Sequence, residues 1–306
     1  MIASTIENLS SSKIGTFLIP SVDTSYQRAI ADYLDHETAE IDAFIADLED
    51  LQTRLMEEGE ARIYAAVTGR FGDNSSFPTP GTDWTGPLPE GWATPRVSWV
   101  FGNIGSGTTP RSEDQQAFGD EVPWVTTGEL REQRIDDTIR RLSRRALAEY
   151  PALEVFPPGS LLIAMYGATI GRLGWLGQPA AVNQAVCAMS GYKYGSYKYM
   201  FYVLRAARPY LLSRAVGGGQ PNINQEIIRS LRVPMPTGAE QAEIVQQLEE
   251  TMQHITEMSV LAAESVALAK ERRAALISAA VTGQIDVTAK HKPAAEQLED
   301  DIAQLD

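Results

Sequence analysis

Along two stretches of this chain apolar side chains return every seventh residue, and between them the pattern breaks into short apolar runs separated by glycine and proline. In the first stretch the recurring residues are Leu34, Ile41, Leu48 and Leu55, with Phe44 and Leu51 at the alternate positions. In the second they are Leu248, Ile255, Ala262, Ala269 and Leu276. A seven-residue period is the seam of a coiled coil, because it keeps one stripe of the helix facing a partner. Bulky residues in one column and alanines in the other favour pairing the two helices with each other. From Tyr26 to Thr68 one helix would run about 64 Å, near two turns of B-DNA. Gly69 and Gly283 stand where a C-terminal stop belongs.

The two stretches are copies of one another at a constant offset of 214 residues, seen by direct comparison. Ile19-Pro20 faces Val233-Pro234, and Gln27, Ile30, Leu34 and Ile41 face Gln241, Ile244, Leu248 and Ile255. The match closes on Ala65-Ala66-Val67-Thr68-Gly69 against Ala279-Ala280-Val281-Thr282-Gly283. It also extends upstream, with Leu9, Ile14 and Phe17 facing Ile223, Ile228 and Leu231. The expected organisation is therefore a remnant of a first module (1–24), a long helix (25–70), a linker (71–92), one complete module (93–237), a second long helix (238–285) and an acidic tail (286–306).

Within the module the strand-like runs are Val122–Thr126, Leu161–Tyr166, Arg172–Leu176 and Ala181–Met189. Tyr199, Met200, Val203, Leu204, Ala207, Tyr210 and Leu211 recur at helical spacing. The fold class is α+β: one mixed globular module flanked by two long helices. Asn-Ser-Ser and prolines mark the linker, and Gly217-Gly218-Gly219 opens a loop leading to a short helix that Asn224 can cap.

Charge alters this picture. The formal net charge of -14 opposes binding to phosphates. Residues 87–236, however, hold 16 Lys plus Arg against 12 Asp plus Glu, a net of +4, so the remainder (10 basic, 28 acidic) carries −18. A mildly basic module on acidic supports suits a DNA-facing unit. Arg131, Arg134, Arg140, Arg141, Arg144 and Arg145 form the densest basic stretch, with Lys193 and Lys198 among tyrosines farther on. Two readings stay open for these arginines: contacts to DNA, and a solvated face paired with Asp136, Asp137 and Glu149. Tyr166, Arg172, Gln220 and Asn222 complete the candidate DNA-binding residues, since arginine reads guanine and amides read adenine. For Asn222 a turn-forming role competes with base contact.

Catalytic chemistry finds no footing. There is no phosphate-binding Gly-x-x-x-x-Gly-Lys loop, no Asn-Pro-Pro-Tyr string, and no cysteine or histidine pair at metal spacing. Cys187 is the single cysteine and reads as a small buried residue, so the cytoplasm is the expected compartment. No segment has the length and apolarity of a membrane span.

Several strings, taken in order, resemble those of type I restriction-modification specificity subunits. They are Pro87-Leu88-Pro89-Glu90-Gly91-Trp92, Gly107-Thr108-Thr109-Pro110, Val122-Pro123-Trp124-Val125-Thr126, Gly167-Ala168-Thr169-Ile170-Gly171-Arg172, Asn183-Gln184-Ala185 and Gly219-Gln220-Pro221-Asn222-Ile223-Asn224. The resemblance implies long helices pairing as an antiparallel coiled coil, and a target recognition domain that reads one half of a split DNA site. It implies double-stranded DNA, methyltransferase subunits and, through the complex, a restriction subunit as partners. S-adenosylmethionine, ATP and magnesium would belong to those partners, with no cofactor on this chain. Family members carry two recognition domains; here one is complete, so the chain resembles a half-length or N-terminally truncated subunit that a homodimer would complete. The rival expectation is a coiled-coil interaction protein, or truncated subunit, that sequesters partners without reading DNA.

Overall fold

The computed structural model describes residues 11–16, 19, 21–71, 76–217 and 221–287. The remnant (1–24) and the acidic tail (286–306) expected from the sequence lie largely outside them, as do Gly218, Gly219 and Gln220. In chain order, a single turn α1 (Ser11–Ile14) precedes the long helix α2 (Thr24–Val67). The hairpin β1 (Thr79–Thr82) and β2 (Gly86–Leu88) and the turn α3 (Val97–Val100) lead into β3 (Asn103–Ser106), β4 (Phe118–Gly119), β5 (Val122–Val125), β6 (Gln133–Ile135) and β7 (Arg141–Leu142). Next come α4 (Arg144–Glu149), β8 (Val155–Phe156), β9 (Leu161–Ala164), β10 (Leu173–Leu176), β11 (Ala180–Val182) and β12 (Val186–Ser190). The chain closes with α5 (Tyr197–Ala206), α6 (Arg208–Ser213), α7 (Gln225–Ser230) and the second long helix α8 (Gly238–Val281). Among the described residues no helix is long and apolar enough to cross a membrane.

The chain divides into two units, residues 1–55 with 257–306, and residues 56–256, so each long helix contributes to both. In the first unit α2 and α8 run antiparallel. Gln52 Nε2 donates to the Ser259 carbonyl at 3.2 Å, Lys270 pairs with Glu49 at 3.3 Å, and Arg273 grips Asp42 through two bonds of 2.8 and 3.1 Å. Ile45, Val266 and Ala269 are buried between them, flanked by Ile41 and Leu48. Leu34, Ile41, Leu48 and Leu55 are half-buried on α2, and on α8 Ala262 and Ala269 are buried and Leu276 is half-buried. The expected alternate positions are corrected: Phe44 and Leu51 are 52% and 37% exposed, and the second column is Thr38, Ile45 and Gln52. From a seam residue both the third and the fourth neighbour lie nearby, and the partner helix decides which is covered. Here Gln52 is tolerated because it finds a backbone acceptor across the pair.

The second unit is a three-layer module. One sheet has the order β3-β12-β9-β10-β6 and the other β4-β7-β5-β11-β8. Alternation along the strands explains the layering. In β9 and β12, Leu161, Ile163, Cys187 and Met189 face α5, α6 and α7, together with the α2 residues Ile63, Ala66 and Val67 and the α8 residues Val245 and Leu248. Leu162, Ala164, Val186 and Ala188 face the other way, onto Val125, Phe156, Ala180 and Val182 of the second sheet. The far side of that sheet is closed by Trp124, Leu142 and Ala181 against Ala146 of α4. Gly59 brings the helices close within this unit, since a Cβ there would lie 3.4 Å from both Met252 and Ile255.

Three local expectations change. Residues 71–92, expected as linker, contain the β1–β2 hairpin. The run Ala181–Met189 is two strands in different sheets, because the Asn183 side chain accepts from the Ala185 amide at 3.0 Å and turns the chain. The helix over residues 199–211 is also two: Pro209, in the first turn of α6, has no amide to continue the ladder of α5.

Candidate nucleic-acid interface

The six arginines are spread over three elements: Arg131 and Arg134 at β6, Arg140 and Arg141 at β7, and Arg144 and Arg145 on α4. Arg131 precedes β6, whereas Arg134 leaves it toward Asp136, 2.8 Å away. Arg141 pairs with Asp137 at 2.6 Å, Arg144 with Glu121 at 3.5 Å and Arg145 with Glu149 at 2.6 Å. Arg140 lies with its guanidinium 5.9 Å from the ring centre of Phe118. Arg131 donates to the Gly128 carbonyl at 3.3 Å. Four of the six thus already face a carboxylate. Lys198 is ion-paired with Glu249 of α8 and fastens α5 to that helix. Lys193, following β12, stays exposed.

Three other candidates do converge. Tyr166 and Asn222 pair as an isolated bridge, Asn222 pairs in turn with Val216, and Arg172 ends the turn that Tyr166 begins. Gln220 lies outside the described residues. The shared location follows from strand direction. β9 and β10 are antiparallel, so the turn over residues 165–172 lies at one end of the first sheet, closed by Gly171 N to Ala164 O at 2.8 Å. β12 begins at that end, and Met165 N bonds Ala185 O at 2.8 Å. β3 finishes there, and Ser106 Oγ accepts from Gln225 Nε2 at 2.8 Å. β6 runs parallel to β10 and also starts there, where Glu132 N reaches Leu173 O at 2.9 Å. In the second sheet β5 and β11 are parallel and end together, Asn183 N bonding Val125 O at 3.0 Å.

Two tight features hold these loops. Gly107 crosses the end of β11 so closely that a Cβ would lie 1.8 Å from the Val182 carbonyl, so only glycine fits. The following loop then delivers the Thr109 hydroxyl to the side-chain oxygen Oε1 of Gln184. Glu132 holds a left-handed backbone (φ 59°) and ion-pairs with Arg208, which also donates to the Gly171 carbonyl at 2.9 Å. Burial pushes the Glu132 carboxyl above its ordinary value despite the Arg208 charge beside it. The side-chain oxygen of Asn222 is shut off from solvent and finds no donor among the described residues. Thr109, Gln184 and the Glu132–Arg208 pair were not singled out as functional from the sequence. The signals were the Gly107-Thr108-Thr109-Pro110 and Asn183-Gln184-Ala185 strings, which carry little charge and so drew less notice than the arginines.

No group of three or more acidic, histidine or cysteine side chains suited to a metal occurs among the described residues. Cys187 lies in the core, where burial pushes its thiol up to about 12, far from a reactive thiolate.

Comparison with known proteins agrees with this architecture. The family model described as type I restriction modification DNA specificity domain matches residues 89–260, more than half of the chain. Curated relatives are the type I restriction enzyme MjaIX specificity subunit of Methanocaldococcus jannaschii, 24% identical over 52% of this chain, and the EcoBI specificity subunit of Escherichia coli, 25% identical over 80%. The chain spans 37% and 54% of their respective lengths. Among solved structures, the HsdS subunit of Thermoanaerobacter tengcongensis superposes with a TM-score of 0.53 over 93% of this chain and 65% of that one, at 20% identity. A structure describing complex assembly and conformational transition of a type I restriction-modification system gives 0.57 over 81% and 58%, also at 20% identity. At this identity the structural matches speak for the fold.

Proposed function

The chain belongs to the family of type I restriction-modification DNA specificity domains, and from that premise we propose that its module reads one half-site of a split DNA target and that its helix pair docks methyltransferase subunits. The family is one of DNA specificity rather than catalysis, as the sequence reading expected. The observation that carries the proposal is the way the module is mounted. Ile63, Ala66 and Val67 from the end of α2 and Val245 and Leu248 from the start of α8 are part of the module's own core, so one end of each long helix is built into the DNA-reading unit. Such a mounting lets phosphate contacts set the register of the module on a duplex while loop side chains read bases.

Docking is supported by the unequal faces of the helix pair in the first unit. One face carries the cross-helix ion pairs Asp42–Arg273 and Glu49–Lys270. The other leaves Phe44 and Leu268 exposed beside a cleft of about 350 Å³ that also includes Ile41 and Ala269. Apolar patches of this kind mark partner surfaces. The methyltransferase and restriction subunits would bring S-adenosylmethionine and ATP, and the assembly would work in the cytoplasm. The test is to combine the chain with its methyltransferase and map methylated adenines in genomic DNA. A defined bipartite motif is expected. Complex formation without any motif would favour the sequestering role instead.

A further inference from the structure

Resting on the reading that the module binds DNA, we propose that its DNA-facing surface is the end of the two sheets where residues 107–110, 126–131, 166–172, 183–185, 216–217 and 221–224 converge, with Arg172 contacting the phosphate backbone and Gln184 a base edge. The carboxylate-paired Arg134, Arg141, Arg144 and Arg145 are assigned a structural role.

The first argument is charge that remains available. Arg172 is exposed and has no carboxylate partner among the described residues, and the exposed Arg214, beside the Val216–Asn222 bridge, is in the same state. A guanidinium already facing a carboxylate must break that pair to bind phosphate, so Arg134, Arg141, Arg144 and Arg145 are poorer candidates. The carboxylates at the loop end are mostly turned onto protein donors. Glu129 accepts from the Thr126 amide at 2.6 Å and from the Ile139 amide at 2.9 Å, and Glu132 faces Arg208. Glu226, at the start of α7, is the exposed acid there. At the opposite end of the sheets stand Asp120 and Glu121 before β5 and Asp136 and Asp137 after β6, all four exposed, a surface that repels a duplex.

The second argument is hydrogen-bonding capacity held in place. Gln184 is exposed, and its side-chain oxygen Oε1 is occupied by the Thr109 hydroxyl. The amide is thereby oriented with its two N–H donors left for an outside acceptor. The loop carrying Thr109 is itself fixed by the close crossing of Gly107 over Val182. A donor on a fixed platform discriminates between base edges, whereas one on a free loop adapts to any of them. Tyr166 and Thr169, half-buried in the adjacent turn, border the same surface.

The test uses the full chain and a pool of duplexes randomised over their central base pairs, with binding followed by anisotropy across a salt series and the bound sequences read out. Arg172→Ala should weaken binding about tenfold and flatten the salt dependence by about one unit of slope, and Arg172→Lys should restore much of the loss. Gln184→Ala should relax the selected sequence at one position with a smaller loss of affinity. Arg144→Ala with Arg145→Ala should stay within about twofold of the unaltered chain. Circular dichroism of each variant separates lost binding from lost fold, and Arg172→Gln, which also removes the charge, serves where Arg172→Ala is unstable. Unaltered protein that binds no duplex overturns the DNA reading itself. Binding that survives Arg172→Ala but falls with the Arg144 and Arg145 changes overturns this surface alone. A selected sequence unchanged by Gln184→Ala removes that residue from base reading.

Discussion

The two copies of the long-helix repeat start and stop alike, yet they live in different surroundings. At the start, Gln27 Nε2 donates to the Val22 carbonyl at 2.8 Å and Gln241 Nε2 to that of Pro236 at 3.1 Å, the same bond 214 positions on. At the stop, Gly69 and Gly283 both adopt φ 72°, and the bonds Arg70 N to Ala65 O (2.7 Å) and Gln284 N to Ala279 O (2.8 Å) match. Thr68 and Thr282 each bond back to the carbonyl four residues earlier at 2.7 Å. Burial is where they part. Gln241 is enclosed by Tyr192 and Met235 while Gln27 is exposed, and Val67 is fully buried while Val281 is 46% exposed. The lesson is that short sequence strings set the geometry of a helix end, whereas the weight each residue bears is set by what packs on it.

Matched substitutions can sharpen or break that contrast. The largest effect should come from Leu248→Ala, which empties a fully buried site and should cost about 3 kcal/mol, against about 1 kcal/mol for Leu34→Ala at its half-buried counterpart. Equal losses in urea denaturation would show that the copies are loaded alike. Next in size is the glycine pair. Gly69→Ala must adopt a left-handed backbone and would also place its Cβ 2.2 Å from Pro89 Cγ, whereas nothing lies within 4 Å of a Cβ at residue 283. We expect Gly69→Ala to cost about 2 kcal/mol or more and Gly283→Ala about 1 kcal/mol, measured as shifts in denaturation midpoint. The smallest contrast is at the glutamines. Gln241→Ala strands the Tyr192 hydroxyl, which donates to it at 3.0 Å, and should cost about 1.5 kcal/mol. Gln27→Ala should cost less than about 0.5 kcal/mol, and a larger loss would mean that this helix start is covered in solution.

What was legible in the sequence follows the same division between local and distant causes. The repeat, the helix stops and the seam residues Ile41 and Leu48 depend on a residue and its near neighbours, and Ile41 and Leu48 pack against the cluster between the helices. The second seam column was misread because Phe44 and Leu51 look more apolar than Thr38 and Gln52, and apolarity alone does not say which flank the partner covers. The arginine segment is likewise divided by the fold. Residues 131–145 include strands β6 and β7, which belong to different sheets, so the basic stretch does not stay on one element. Conversely, Thr109 and Gln184 meet across 75 positions, and no local window contains both. Tyr166, Arg172 and Asn222 were picked out individually, and the strand directions then supplied their common location.

The middle sheet of the module has helices on one face and a second sheet on the other, so neither face has room for change. Variation can enter cheaply only at the strand termini, at exposed positions such as Gly128, Arg172 and Gln184, while neighbours such as Leu130 and Ile223 stay buried. A scaffold closed on both sides and open at its rim can exchange those outward side chains while the folded body stays intact, which is the property a lineage needs if it is to remodel a surface without relearning how to fold.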